Sequence, residues 1–123
     1  DPEVEELSRQ AAAHFGSEPR QVSDQEILER CMYPLVNIGA AILEEGIALR
    51  ASDIDLVYLN GYGFPVWRGG PMHWAGTVGL DTVGRAVDRY FEQTGRDHWS
   101  PSSLLNKLGA EAKTFEAYDA ENN

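Results

Sequence analysis

From Ser23 to Gly46 the chain reads "SDQEILERCMYPLVNIGAAILEEG", and its apolar residues recur at steps of three and four for about six turns. A strand alternates at two, so this stretch commits the fold to a long helix. Ser23 presents a hydroxyl at the N-cap with Glu26 three residues on, the arrangement in which each side chain satisfies an exposed amide at the other's position. Leu28, Cys31, Leu35, Ile38 and Ile42 form the main stripe, Ile27, Met32 and Leu43 widen it, and Gly46 ends it. At 1.5 Å per residue the helix would span roughly 30 Å, which makes it the central element. Pro34 removes the amide that would bond back to Arg30, an interruption of ~3 kcal/mol in a helix interior. Because the apolar period passes through it unchanged, a kink rather than a break is expected. Cys31, inside that pattern, reads as a small buried hydrophobe.

The remaining segments share the helical period. Pro2 at a first helical position, acidic residues in the first turn, and Val4, Leu7, Ala11 and Phe15 predict a short amphipathic helix that Gly16 stops, followed by a linker through Pro19. Ser52 reads as the N-cap of a helix running to about Leu59, with Ile54, Val57 and Tyr58 on its buried side and Asn60 and Gly61 ending it. Pro71 can open a short helix carrying Met72 and Trp74. Leu80, Val83, Val87, Tyr90 and Phe91 define another that Gly95 stops, and Ser100 with Pro101 at the first position begins the next. The tail "KTFEAYDAENN" is expected to fray, with Phe115 and Tyr118 able to dock. No convincing strand alternation, internal repeat or low-complexity run is present. The expected fold is all-α, with residues 1–22 as an N-terminal helix and linker, 23–118 as the domain body and 119–123 as a tail.

Composition removes several functions. A net charge of −10 argues against nucleic acid as a partner, since that binding needs clustered Lys and Arg. No apolar run approaches the ~18 residues of a membrane span. The single cysteine excludes a disulfide within the chain and suits a reducing compartment. A cytoplasmic location is expected, an organellar one being the alternative. The chain begins at Asp1 without an initiator methionine, which suggests processing or excision from something longer.

The segment "NGYGFPVWRGGPMHWAG" raises the question of a phosphate cradle. Such cradles converge amides at a helix that follows a strand, with glycines at fixed spacing. Here Gly61 and Gly63 follow a helix and no third glycine falls at that spacing, so the glycines read as steric, allowing tight reversal and close approach of bulky neighbours. Two readings of Tyr62, Phe64, Trp67 and Trp74 stand: filling this domain's own core, or packing on another domain together with Arg68 and Met72. Asn37, a short amide on an apolar helix, either bonds internally or reaches across an interface. Glu44 and Glu45 end a helix where the dipole disfavours acid, so they are solvated or held by a partner's base. His14, His73 and His98 lack the spacing of metal ligands, and His73 alone sits in the aromatic loop. No serine has the glycine-flanked setting of a nucleophile.

Taken together, "ERCMYPLVNIGAAILEEGIALRASDIDLVYLNGYGFPVWRGGPMHWA" closely resembles the last C-terminal domain of multifunctional 3-hydroxyacyl-CoA dehydrogenases, enzymes of fatty-acid β-oxidation that also carry an enoyl-CoA hydratase module. The resemblance covers roughly residues 23–118. It implies a helical domain of the 6-phosphogluconate dehydrogenase C-terminal-like type, in a parent that oxidises 3-hydroxyacyl-CoA to the 3-oxo product with NAD. Its partners would be the preceding helical and dinucleotide-binding domains, the second helical copy pairing with the first, and self-association if those are absent. The first copy's active-site asparagine falls at Glu29 here, and its loop before the proline is three residues shorter than "GFPVWRGGP". Ile38 also departs from the Glu often found there in second copies. The implied role is therefore support and assembly, with no catalytic, cofactor or metal residue carried over and NAD held elsewhere in the parent. Interface residues expected on this reading are Asn37, Tyr62, Phe64, Trp67, Arg68, Met72 and Trp74. The rival reading is a stand-alone interaction module that uses the aromatic loop.

Overall fold

A computed structural model describes residues 1–122. Among them it places helices α1 (Pro2–His14), α2 (Asp24–Glu44), α3 (Ala51–Gly61), α4 (Pro71–Val78), α5 (Leu80–Thr94), α6 (Ser103–Ala110) and α7 (Phe115–Asn122), with 3₁₀ turns at Val66–Arg68 and Asp97–Trp99. No strand occurs among these residues. The all-α expectation is met. Helix α2 is the hub, packing against α3, α4, α5 and α6.

The long helix begins and ends as its sequence dictates. Ser23 Oγ accepts from the Glu26 amide at 3.1 Å, and the helix runs unbroken through Pro34. At its end Gly46 takes a φ of +71°, its amide donates to Leu43 O and the Ile47 amide to Ile42 O, the two crossed bonds of a Schellman stop. The reciprocal half of the capping box is replaced. Glu26 instead accepts from Arg20, in the linker, and from Arg30 one turn on. These two guanidinium hydrogen bonds hold its carboxyl down to about 2. A depressed acid pKa contributes stability above the ordinary carboxylate range and loses it as pH falls toward the folded value. We expect the Glu26 carboxyl carbon, followed by NMR, to titrate near pH 2, and Arg20→Ala to move that midpoint upward.

Burial on α2 lies opposite the main expected stripe, although Leu43 and Met32, expected to widen that stripe, do serve the core. Tyr33, Val36, Asn37, Gly39, Ala40 and Leu43 face the core. Leu28 and Ile38 are 40% and 45% exposed, Leu35 and Ile42 are half-buried, and Cys31 is exposed rather than interior. The reason is that α2 has apolar residues on two faces, and α4, α5 and α6 take only one of them.

The core is closed by α5, whose Val83, Val87 and Tyr90 are buried, and by Trp99, stacked on Tyr90 at 4.6 Å between ring centroids. Gly95 stops α5 with a φ of +61°. Two capping expectations are corrected. Helix α3 starts at Ala51, not after Ser52, and its first amide is held by both Asp119 carboxylate oxygens at 3.0 and 3.1 Å. Helix α6 is capped by Ser102 rather than Ser100. The tail is helical where fraying was expected: α7 runs to Asn122, Phe115 is fully buried and Tyr118 packs on the core, the docking expected of both, and Asp119 reaches back to α3. Asn123 lies outside the described residues.

Ala112 is the single non-glycine residue with positive φ among those described, at +52° after α6. Its amide donates to Gly109 O and the next one, Lys113, to Leu108 O, a second Schellman stop with a methyl where glycine is preferred. A left-handed L-residue is strained by about 1–2 kcal/mol, part of which glycine's greater unfolded-state freedom offsets. Ala112→Gly is expected to raise stability by about 0.5–1 kcal/mol in urea unfolding.

Candidate interdomain surface

The aromatic loop divides into an inward and an outward half. Met72 and Trp74, on α4, lie in the core at 0% and 6% exposure, and Asn37 is buried at 3%. These three are therefore removed from the expected interface. Met72 and Trp74 point inward because α4 packs across α2: Met72 Sδ fills the space that a Cβ at Gly39 would occupy, and Trp74 meets Tyr33 with ring centroids 6.0 Å apart. Asn37 is spent on its own chain. Its Nδ2 donates to Ser100 O at 2.8 Å and to His98 O at 3.5 Å, and its Oδ1 accepts from the Ser102 amide at 2.8 Å.

Phe64 is half-buried, edge-on to Tyr58 at 6.5 Å, and packs on the core. The outward half is Tyr62, Val66 and Trp67, at 75%, 76% and 78% exposure. Arg68 is also exposed and lies over the Trp67 ring, its guanidinium carbon 4.3 Å from the centroid, a cation–π contact that stiffens both side chains. Leu56 and Val57 on α3, at 55% and 57%, are further outward apolar groups. Val57 was expected to be buried, and Asp55 takes the buried position instead.

Asp55 answers what the paired glycines do. The Asp55 carboxylate accepts from the amides of Met72 at 2.7 Å and His73 at 3.0 Å, the open amides at the α4 N-terminus, where a negative charge is favoured. Burial pushes the Asp55 carboxyl up, and the two amides pull it back. Gly70 has a φ of +104° and a Cβ there would lie 2.3 Å from Asp55 Oδ1. The anion held by this loop is the protein's own. Beside it His73 Nδ1 and Glu116 Oε1 lie 2.7 Å apart, both side chains more than half exposed. Burial raises the Glu116 carboxyl, but its own amide, His73 and Thr114 outweigh this and leave it below the ordinary value. Among the described residues no group of three or more His, Cys, Asp or Glu could hold a metal.

Glu29, where the resemblance leaves a catalytic amide missing, is committed to structure. It accepts from Tyr90 Oη at 2.7 Å and from Arg89 at 3.1 Å. His98 accepts from Asn37 through its carbonyl, and its ring lies 5.6 Å from that of Trp99.

What remains is a domain with two outward apolar sets. One is the Leu28–Cys31–Leu35–Ile38–Ile42 face of α2, and the other is the loop around Trp67. Contiguous exposed apolar area of this kind marks protein contacts. Sequence reasoning left the second set open between core and interface and assigned the first to the domain's own core. The available signal was that α2 is apolar on both sides, a pattern of helices covered all round.

Comparison with known proteins decides the family. Residues 27–119 match the model described as 3-hydroxyacyl-CoA dehydrogenase, C-terminal domain. The chain belongs to that family. It is 45% identical over 112 residues to a peroxisomal bifunctional enzyme of Danio rerio, covering 89% of this chain and 16% of that protein. To the peroxisomal bifunctional enzyme of Homo sapiens it is 47% identical over 106 residues, covering 85% and 14%. A peroxisomal fatty acid beta-oxidation multifunctional protein of Oryza sativa subsp. japonica is 37% identical over 102 residues, covering 83% and 14%. The chain thus spans about a sixth of the length of these relatives. No helix among the described residues is long and apolar enough to cross a membrane.

Proposed function

We infer that this chain is a non-catalytic assembly domain of an NAD-dependent 3-hydroxyacyl-CoA dehydrogenase joined to an enoyl-CoA hydratase and acting in fatty-acid β-oxidation. In the parent, hydride passes from the 3-hydroxyl carbon of an acyl-CoA to NAD, and the domain supports the neighbour that carries that site. NAD belongs to the dinucleotide-binding domain. The body, residues 23–118, docks on the preceding helical and dinucleotide-binding domains, and residues 1–22 form the arm and linker; α1 has no buried residue.

The observation that carries this reading is the face of α2 left outside the core, Leu28 to Ile42. A single helix that supplies both a core face and an outward apolar face is suited to joining two bodies. Tyr62, Trp67 and Arg68 extend the docking surface, Phe64 backing them from the core side. The names of the relatives are peroxisomal and glyoxysomal, which favours an organelle over the cytoplasm expected from composition.

Ile38→Asp tests it. In the chain by itself the side chain is 45% exposed, so the substitution is expected to change stability by no more than about 0.5 kcal/mol. In the full-length parent the same carboxylate is buried without a partner, and docking is expected to weaken by about 3 kcal/mol or more. The readouts are a lower melting transition and reduced oxidation of 3-hydroxyacyl-CoA. A parent carrying Ile38→Asp that keeps both at the unsubstituted level contradicts the docking role. The chain alone is expected to turn over no hydroxyacyl-CoA.

A stand-alone interaction module is the second reading, and the exposed Trp67–Arg68 pair is what favours it. Under it, Ile38→Asp changes nothing in any larger protein, whereas Trp67→Ala abolishes capture of the partner.

A further inference from the structure

The outward face of α2 ends in a groove of about 500 Å³ whose floor is Ile38, Ala41 and Ile42 and whose rim carries Glu44, Glu45 and Asp97. Its second wall is the segment from Ser100 to Ser103, tied to α2 by Asn37. All three rim residues are exposed. Glu44 accepts from the Ser103 hydroxyl, and among the described residues none of the three carboxylates forms an ion pair.

The placement of this charge is unfavourable for the domain by itself. Glu44 is the last residue of α2 and Glu45 its C-cap, and no basic residue lies in that last turn. The negative end of the helix dipole already lies there, so each added carboxylate is unfavourable. The chain also carries a net charge of −10. A second copy of the chain would bring more negative charge to the same place, which argues against self-association through this groove.

Resting on the docking role given above, we propose that the groove receives an amphipathic helix of the neighbouring domain with arginine or lysine at its edge. Its apolar side lies on Ile38, Ala41 and Ile42. Its cations sit over Glu44, Glu45 and Asp97, where they meet both the carboxylates and the end of the α2 dipole. The charge gives register and partner choice, and the apolar floor gives affinity.

The test uses this chain, isotopically labelled, and two synthetic amphipathic peptides of about 18 residues, roughly five helical turns. Both have the same leucine stripe; arginines flank it in one and glutamates in the other. The arginine peptide is expected to shift the backbone signals of Ile38, Ala41, Ile42 and Ser103 and to bind at least about tenfold more tightly, about 1.4 kcal/mol. Combined Glu44→Gln, Glu45→Gln and Asp97→Asn is expected to remove that advantage. Glu3→Gln, Glu5→Gln and Glu6→Gln on α1, which remove the same charge elsewhere, are expected to leave it intact.

Equal affinity for the two peptides at the groove overturns the basic partner and leaves the docking role standing. Shifts spread over the surface, or an advantage lost equally in the α1 variant, show general attraction to an acidic chain and also overturn it. Absence of binding by either peptide overturns the groove as a receptor, and the Ile38→Asp parent then judges docking separately.

Discussion

Gly70→Ala is expected to destabilise the chain by about 4 kcal/mol or more, at the far end of single substitutions. Two costs combine. The position has a φ of +104°, a conformation strained by about 1–3 kcal/mol for an L-residue. The new Cβ would also lie 2.3 Å from Asp55 Oδ1 and 2.4 Å from Asp55 Cβ and Cγ. Asp55 must then withdraw, and the Met72 and His73 amides lose the carboxylate they donate to, a charged hydrogen bond being worth about 1.5–3 kcal/mol. Gly61→Ala is the control within the same loop. Nothing lies within 4 Å of a Cβ there, and the residue closes α3, so a change of about 0.5 kcal/mol or less is expected. Urea unfolding of both variants at neutral pH measures the contrast. Equal, small effects at both positions would mean that the Asp55 clasp does not hold α3 to α4.

The second large effect is expected at Asn37. Its amide makes three bonds to the loop between α5 and α6, to His98 O, Ser100 O and the Ser102 amide, in a site 3% exposed. Asn37→Ala leaves those backbone groups without their partner and a space beside Val36 and Ala40, for a loss of about 3 kcal/mol. Asn37→Asp should be at least as damaging, since a carboxylate would face the two carbonyls that now accept from Nδ2. Because Ser100 to Ser103 form one wall of the groove on α2, hydrogen exchange in this loop should rise in both variants while α3 and α4 stay protected. A loop that remains protected in Asn37→Ala would remove the amide from its role.

How much of this the sequence made legible depended on how local the determinant was. The α2 boundaries follow from Ser23 and Gly46, and those of α5 from its apolar period and Gly95, all within one or two turns of chain. Determinants separated along the chain were not legible. Asp119 caps α3 from 68 residues away, and Asp55 supplies the N-terminal carboxylate of α4 from another helix. Neither pairing leaves a mark in composition or period. The face of α2 was misassigned for a different reason. Periodicity reports that a stripe is apolar, not which body covers it, and here the stronger stripe by spacing is the outward one while Tyr33, Val36, Ala40 and Leu43 serve the core. The same ambiguity split the aromatic loop: Trp74 went inward and Trp67 outward.

The most direct measurement is hydroxyl-radical footprinting of Leu28, Ile38, Tyr62 and Trp67, in the free chain and in the full-length parent. All four side chains are exposed in the free chain, so all should be oxidised readily when it is alone. In the parent, protection of Leu28 and Ile38 on α2 and of the two loop aromatics is the expected result. Equal oxidation in both forms would mean that no neighbouring domain covers these faces.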